Sequence, residues 1–283
     1  MAERDATRAD AELGRGASLT GDHVIISHKH RYLFVEFPHT ASVAIRRELV
    51  DHYDGEPILA KHSTYRDFLA TASDEEKGYF VFSCIRNPLD VAVTKYFKLK
   101  TNHAYKSASA VRKGGIGHVL HGRVGRFVRD DGADFEAFFM KVFRIQYNSW
   151  ASLDHRKFDY VIRFEDLDRG FAEVLERLGI ERVRPLPRTN STGERKKDFA
   201  AYYESPRVIA RAKRVFGVYM EEWGYRFPPE WGAARITRPQ RLRFTAWNAL
   251  LKPYWLYLKP WIWGAQMRQK RAPGLSALKS PST

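Results

Sequence analysis

Two short stretches concentrate the side chains that could do chemistry. In the first, residues 34–45 (Phe-Val-Glu-Phe-Pro-His-Thr-Ala-Ser-Val-Ala-Ile), His39, Thr40 and Ser42 crowd a Pro-containing corner. In the second, residues 84–96, Arg86 and Asn87 precede Pro88, and Thr94 follows farther along. Hydroxyls, an imidazole and an always-charged guanidinium fork are groups suited to holding phosphate-like anions.

The elements that must position them can be read from the pattern around each corner. Both stretches begin as a continuous apolar run of strand-forming residues, turn, and then switch to helical period, so both read as strand-turn-helix units. Residues 32–37 form the first strand, and Ala41, Ala44, Ile45 and Leu49 recur on one face of the helix that follows. A turn feeding a helix presents unpaired backbone N–H groups at the positive end of the helix dipole, a seat for an anion. The first corner has no glycine and does not match the Walker pattern G-x-x-x-x-G-K-[ST]. In the second unit, residues 79–85 carry no charge, as expected for a strand of a parallel sheet buried on both faces. Asn87 suits a helix N-cap and Pro88 the first helical position. Leu89, Ala92, Val93, Tyr96 and Phe97 are expected on the buried face, with Thr94 off it. Arg86 falls at a strand's carboxyl end, where open α/β sheets bind ligands.

This pair resembles the two phosphosulfate-binding motifs of the Golgi and bacterial carbohydrate sulfotransferases. Their first motif runs roughly Pro-Lys-Thr-Ala-Gly-Thr-Ser, and their second Arg-Asn-Pro-x-Asp-Arg, then Ser, then an aromatic. The resemblance spans residues 32–227 and implies a P-loop-NTPase-like three-layer α/β sandwich with a central parallel sheet. It implies binding of 3′-phosphoadenosine-5′-phosphosulfate, with Thr40, Ala41, Ser42, Val43 and Ala44 lining the 5′ side and Arg86 and Thr94 taking the 3′-phosphate. Three positions depart from the family: its lysine is His39, its Gly-Thr-Ser is Ser42-Val43-Ala44, and the second arginine of its second motif is Val91. The lysine stabilises the leaving bridging oxygen in the family, so that role passes to His39. The resemblance also marks His62, in Lys61-His62-Ser63, as a candidate base, and a neutral imidazole accepts an alcohol proton near neutral pH. The basic loop of residues 186–197 resembles loops that close over the nucleotide, and there Arg195 or Lys196 would add positive charge.

The 283 residues suffice for one large α/β domain with appendages or for two small domains, and 44% hydrophobic with 14% aromatic residues indicate a folded chain. A formal net charge of +15 calls for a polyanionic partner without choosing one. The single cysteine, Cys84, rules out an intramolecular disulfide and suits a reducing compartment. Residues 1–20 are polar and aperiodic, read as a disordered leader without a secretory signal, and a cytoplasmic location is expected.

Five further segments complete the organisation. Residues 24–26 form an edge strand near the first motif. Residues 101–132 mix glycines with arginines and histidines and read either as a basic loop insertion serving as an acceptor-binding lid or as a solvated loop. Within it, His118 and His121 lack the Cys or carboxylate companions of a metal site, and no metal is required by the expected chemistry. Residues 134–143 form an aromatic helix with Phe135, Phe138, Phe139 and Val142 in the core. Residues 158–164 form a third strand ending in Glu165 and Asp166, carboxylates that cap the next helix or serve as a base, and Gly179 stops that helix. A sulfotransferase-like domain over 21–228 is followed by a basic aromatic tail, 229–283. Two lysines and two prolines interrupt the tail's aromatic run, so the segment is unsuited to spanning a membrane. Docking on the core, a dimer contact, and peripheral membrane contact through 235–272 all fit it.

The expected activity is transfer of a sulfuryl group to a hydroxyl of a glycan or glycolipid acceptor. The rivals are a sulfotransferase-like protein that binds without turnover and a P-loop-type phosphotransferase, the latter disfavoured by the missing Walker lysine. A nucleic-acid partner is disfavoured because no recognition motif appears.

Overall fold

The computed structural model describes residues 24–37, 39–59, 64–101, 116–148, 156–187 and 198–253, with backbone alone at 116–121. His62, Arg195 and Lys196 lie outside the described residues, as do the leader and the tail beyond 253.

Among the described residues the protein is α/β, with one five-stranded mixed sheet and eight α-helices. The strands are β1 (Val24–Ser27), β2 (Tyr32–Val35), β3 (Glu56–Ile58), β4 (Phe80–Ile85) and β5 (Tyr160–Arg163), in the spatial order β3-β1-β2-β4-β5. The helices are α1 (Ser42–His52), α2 (Tyr65–Leu69), α3 (Pro88–Lys100), α4 (Ile116–Arg129), α5 (Phe135–Val142), α6 (Leu167–Arg177), α7 (Pro206–Glu222) and α8 (Arg238–Pro253).

Strands β2, β4 and β5 are parallel neighbours, and β1 runs antiparallel to both β2 and β3. The expected all-parallel sheet is therefore parallel over three strands only. The reason is loop length: four residues separate β1 from β2, enough for a hairpin but far short of the crossover a parallel pair needs. Strand β1 is also an interior strand, not an edge, because β3 pairs along its other side.

Alternation sends the strand side chains to two faces. Ile25, Tyr32, Phe34, Phe82, Cys84 and Ile162 meet α1 and α6 through Ile45, Leu49, Phe171, Val174 and Leu175. Val24, Ile26, Leu33, Val35 and Val81 meet α2 through Tyr65 and Phe68. Gly170 lets α6 lie close on β5, since a Cβ there would stand 2.7 Å from Ile162 Cγ2. Gly179 ends α6 with φ +67, the expected left-handed stop.

A further core, built by α3, α4, α5 and α7, contains no strand residue. Phe135, Phe138 and Phe139 join it as the periodicity predicts, whereas Val142 is 37% exposed and Phe143 takes the core position after it. Helix α4 occupies residues expected to be loop, with three glycines in its span. Valines and phenylalanine at helical spacing, Val124, Phe127 and Val128, bind it to this core and offset the glycines' low helical propensity. Because α3 is packed from several directions, ten of its thirteen residues are buried, Thr94 among them, contrary to the expected placement off the buried face.

Candidate functional site

The first corner follows β2. His39 and Ala41 are left-handed, with φ 72 and 57, and flank Thr40. Each costs about 1 kcal/mol without glycine, and two hydroxyls hold the bend: Thr40 Oγ1 and Ser42 Oγ both donate to the Phe37 carbonyl, at 2.8 and 3.0 Å. The hydroxyls expected to point donors at an anion thus spend them on the chain. Ala41 stands at the N-cap of α1 and offers no side-chain cap, and its carbonyl accepts the Ala44 N–H at 2.9 Å, so the Ser42 and Val43 amides of the first turn are left to another acceptor. The left-handed then right-handed backbone of Ala41 and Ser42 makes successive N–H groups converge, as in an anion nest. Ala44 is buried and Val43 half-buried on this turn. Behind it, Arg46 Nε lies 2.8 Å from Glu36 Oε1 in an ion pair almost sealed from solvent, tying α1 to the end of β2.

The second corner forms as its sequence predicts. Asn87 Oδ1 accepts the Leu89 N–H at 3.0 Å, and Pro88 opens α3. Arg86 is committed in three directions. Its Nε donates to Asp90 Oδ2 at 2.7 Å, its Nη2 lies 2.7 Å from the same oxygen, and its Nη1 donates to the His39 carbonyl at 3.0 Å. Its guanidinium carbon sits 3.8 Å from the centre of the Phe164 ring. Burial pushes its pKa down to about 10, which still leaves the fork charged at neutral pH. Its side chain is 9% exposed, so it offers an outside anion only an edge while joining the two corners.

Lys98 is the cation that the sequence reading missed. Its Nζ lies 3.1 Å from His39 Nδ1. An ammonium has only donors, so Nδ1 accepts, and the neutral imidazole carries its proton on Nε2. The signal was available: Arg86, Asp90, Thr94 and Lys98 recur every four residues, one stripe of α3 running from the second corner toward the first.

Glu165 does not cap the helix that follows it. Its Oε1 accepts the Asn87 N–H at 2.7 Å and its Oε2 accepts the Tyr225 hydroxyl at 3.0 Å. It therefore closes the start of α3, not of the helix that follows it, and both oxygens are engaged. Burial and the neighbouring Glu165 charge drive the Tyr225 phenol far above its ordinary value. Arg163 donates to the Trp223 carbonyl at 2.7 Å and fastens the end of β5 to the same turn.

The arrangement gathers first-turn amides, the His39 imidazole, the Lys98 ammonium and the Arg86 fork at the carboxyl ends of two adjacent parallel strands. Such a set can hold a phosphate or sulfate ester and stabilise negative charge building on one. Among the described residues, no group of three or more His, Cys, Asp or Glu could hold a metal ion. Comparisons with family models, with curated proteins and with solved structures give no match for this chain.

Proposed function

We propose that the protein is a sulfotransferase that moves a sulfuryl group from 3′-phosphoadenosine-5′-phosphosulfate to a hydroxyl of a glycan or glycolipid, on a P-loop-like scaffold. The observation that carries the reading is the bond from Arg86 to the His39 carbonyl, which makes one seat of the two corners that resemble the family's motifs. The parallel register of β2 and β4 supports it by setting Val35 opposite Ser83, so that both chains turn at the same level.

In this reading the α1 amides at Ala41, Ser42 and Val43 receive the 5′ side of the donor, and Arg86 with Thr94 faces its 3′-phosphate. His62 takes the acceptor's proton. The acceptor oxygen bonds to sulfur as the bond from sulfur to the bridging phosphate oxygen breaks, and the electron pair leaves with the phosphate. Lys98 acts through the position of the missing family lysine: it and the Nε2–H of His39 meet that negative charge. Positioning and charge stabilisation carry the rate.

Calorimetric titration of the full chain with 3′-phosphoadenosine-5′-phosphate, AMP and ATP tests the binding half. The reading expects preference for the 3′-phosphorylated nucleotide, weakened in Arg86→Lys; equal affinity for all three overturns it. Loss of transfer in His62→Ala with binding retained supports the base, and unchanged turnover removes it.

A second reading, binding without turnover, is favoured by one observation: the Thr40 and Ser42 hydroxyls both donate to the Phe37 carbonyl instead of facing outward. Retained nucleotide binding without transfer to any hydroxyl acceptor would decide for it.

A further inference from the structure

Helix α8 is apolar on two sides. Its inner side carries Phe244, packed with Val218 and Tyr219 of α7, and Asn248, whose carbonyl oxygen accepts from the Asn148 side chain. Arg241 donates to Glu221 of α7 at 2.8 Å, and Gln146 donates to the Gln240 carbonyl at 2.7 Å. The helix start is fixed as well, because Gln240 reaches back to accept the Thr237 N–H at 2.7 Å, half of a capping box. The helix is thus held in one rotation about its axis. Its other side has to face outward.

That outward side is a stripe of Leu242, Ala246, Ala249 and Leu250, all exposed, the two leucines at 70% and 67%. Helical spacing sets Arg243 along one border and Arg238 and Lys252 along the other, and these three are exposed too. The sequence adds a charge asymmetry. Residues 232–283 hold ten of the chain's 48 Lys and Arg and none of its 33 Asp and Glu, together with four of its seven tryptophans. Most of the net charge of +15 therefore belongs to this last part of the chain.

We propose that the outward face of α8 is a docking surface for an anionic lipid bilayer. The helix lies in the plane of the interface, with Leu242 and Leu250 entering the boundary between headgroups and acyl chains and Arg238, Arg243 and Lys252 meeting lipid phosphates. Among the described residues no helix is long and apolar enough to cross a membrane, so the contact is peripheral. A second copy of the chain is the poorer occupant, since the same face of its α8 would bring a surplus of the same charge to it. The proposal uses no residue of the two corners, and its failure leaves the transferase reading intact.

The test is co-sedimentation of the full-length protein with vesicles of phosphatidylcholine alone and of phosphatidylcholine with phosphatidylglycerol, at low and high salt. Binding to the anionic vesicles is expected to exceed binding to the neutral ones by about ten-fold or more and to weaken with salt. The double variant Leu242→Ser, Leu250→Ser is expected to lose most of that binding with its thermal unfolding unchanged, because both side chains are exposed. Arg238→Gln with Arg243→Gln is expected to reduce the preference for anionic vesicles. Equal binding to both vesicle types, unchanged binding of the leucine variant, or a dimer that the leucine variant dissolves in sedimentation velocity would each overturn the proposal.

Discussion

Lys98 on α3 and His39 in the first corner are 59 residues apart in the chain and 3.1 Å apart in space, joined Nζ to Nδ1. The pair fixes the imidazole's tautomer and brings an ammonium to a corner that contains no lysine. Replacing Lys98 by Ala should weaken binding of 3′-phosphoadenosine-5′-phosphate by about 10- to 100-fold, the worth of a charge-assisted hydrogen bond. Lys98→Arg should recover part of the loss. Titration calorimetry reads both, and an unchanged affinity in Lys98→Ala would remove Lys98 from the site.

The Glu36–Arg46 pair behaves as a structural strut. Both side chains are almost fully buried, so removing one leaves a buried charge without its partner. Glu36→Ala should cost about 3–5 kcal/mol by denaturant unfolding. The double change Glu36→Leu, Arg46→Met should cost clearly less than the sum of the single changes. Additive losses would mean the two charges are not coupled.

Tyr160 gives an alkaline signature. Burial, and donation of its hydroxyl to Glu173 Oε2 at 2.6 Å, push the phenol up to about 12. Between the unfolded value near 10 and the folded value, the folded state holds the proton that the unfolded state has lost, so stability falls as pH rises through this window. Tyr160→Phe should flatten that part of the stability curve. Ultraviolet titration of tyrosinate, wild type against variant, locates the ionisation; a normal phenol titration at Tyr160 contradicts the contact.

Gly170 should tolerate little. With Ile162 Cγ2 only 2.7 Å from where its Cβ would lie, Gly170→Val should destabilise the fold by about 1–3 kcal/mol through overpacking of α6 against β5. Thermal unfolding measures it. Gly170→Val with Ile162→Ala, itself a costly core truncation, should cost clearly less than the sum of the two single changes, and additive losses would assign the cost to the helix backbone instead.

The parts of the fold legible in the sequence are those governed by local rules. The apolar runs of β2 and β4, Asn87 capping α3, Pro88 after it and Gly179 ending α6 follow from residue type and spacing alone. What escaped depends on neighbours distant in the chain. Thr94 sits off the apolar face of α3, yet packing from several directions buries it. Residues 116–129 look like a glycine-rich loop until an aromatic and valine face finds the core. Glu165 reads as the cap of the following helix because sequence shows only the following helix; its actual partner amide, that of Asn87, reaches it through the pairing of β4 with β5. In the candidate site, the two corners and Arg86 were visible as motifs. The turning inward of Thr40 and Ser42 was not, since a hydroxyl's partner is set by the bend that the left-handed His39 and Ala41 impose.

The bond from Arg86 to His39 closes a span of 47 residues, and the one from Asn87 to Glu165 a span of 78. The seat draws on residues 39–98, and entropy must be spent on the 47-residue closure before the Arg86 contact forms. The β1–β2 hairpin, by contrast, is built from near neighbours. The anion seat is therefore absent from any partly assembled state that keeps the hairpin and α1 but has not yet brought β4 and α3 alongside them. A nucleotide that needs this seat would recognise only completed molecules, and its presence would slow their unfolding more than their formation.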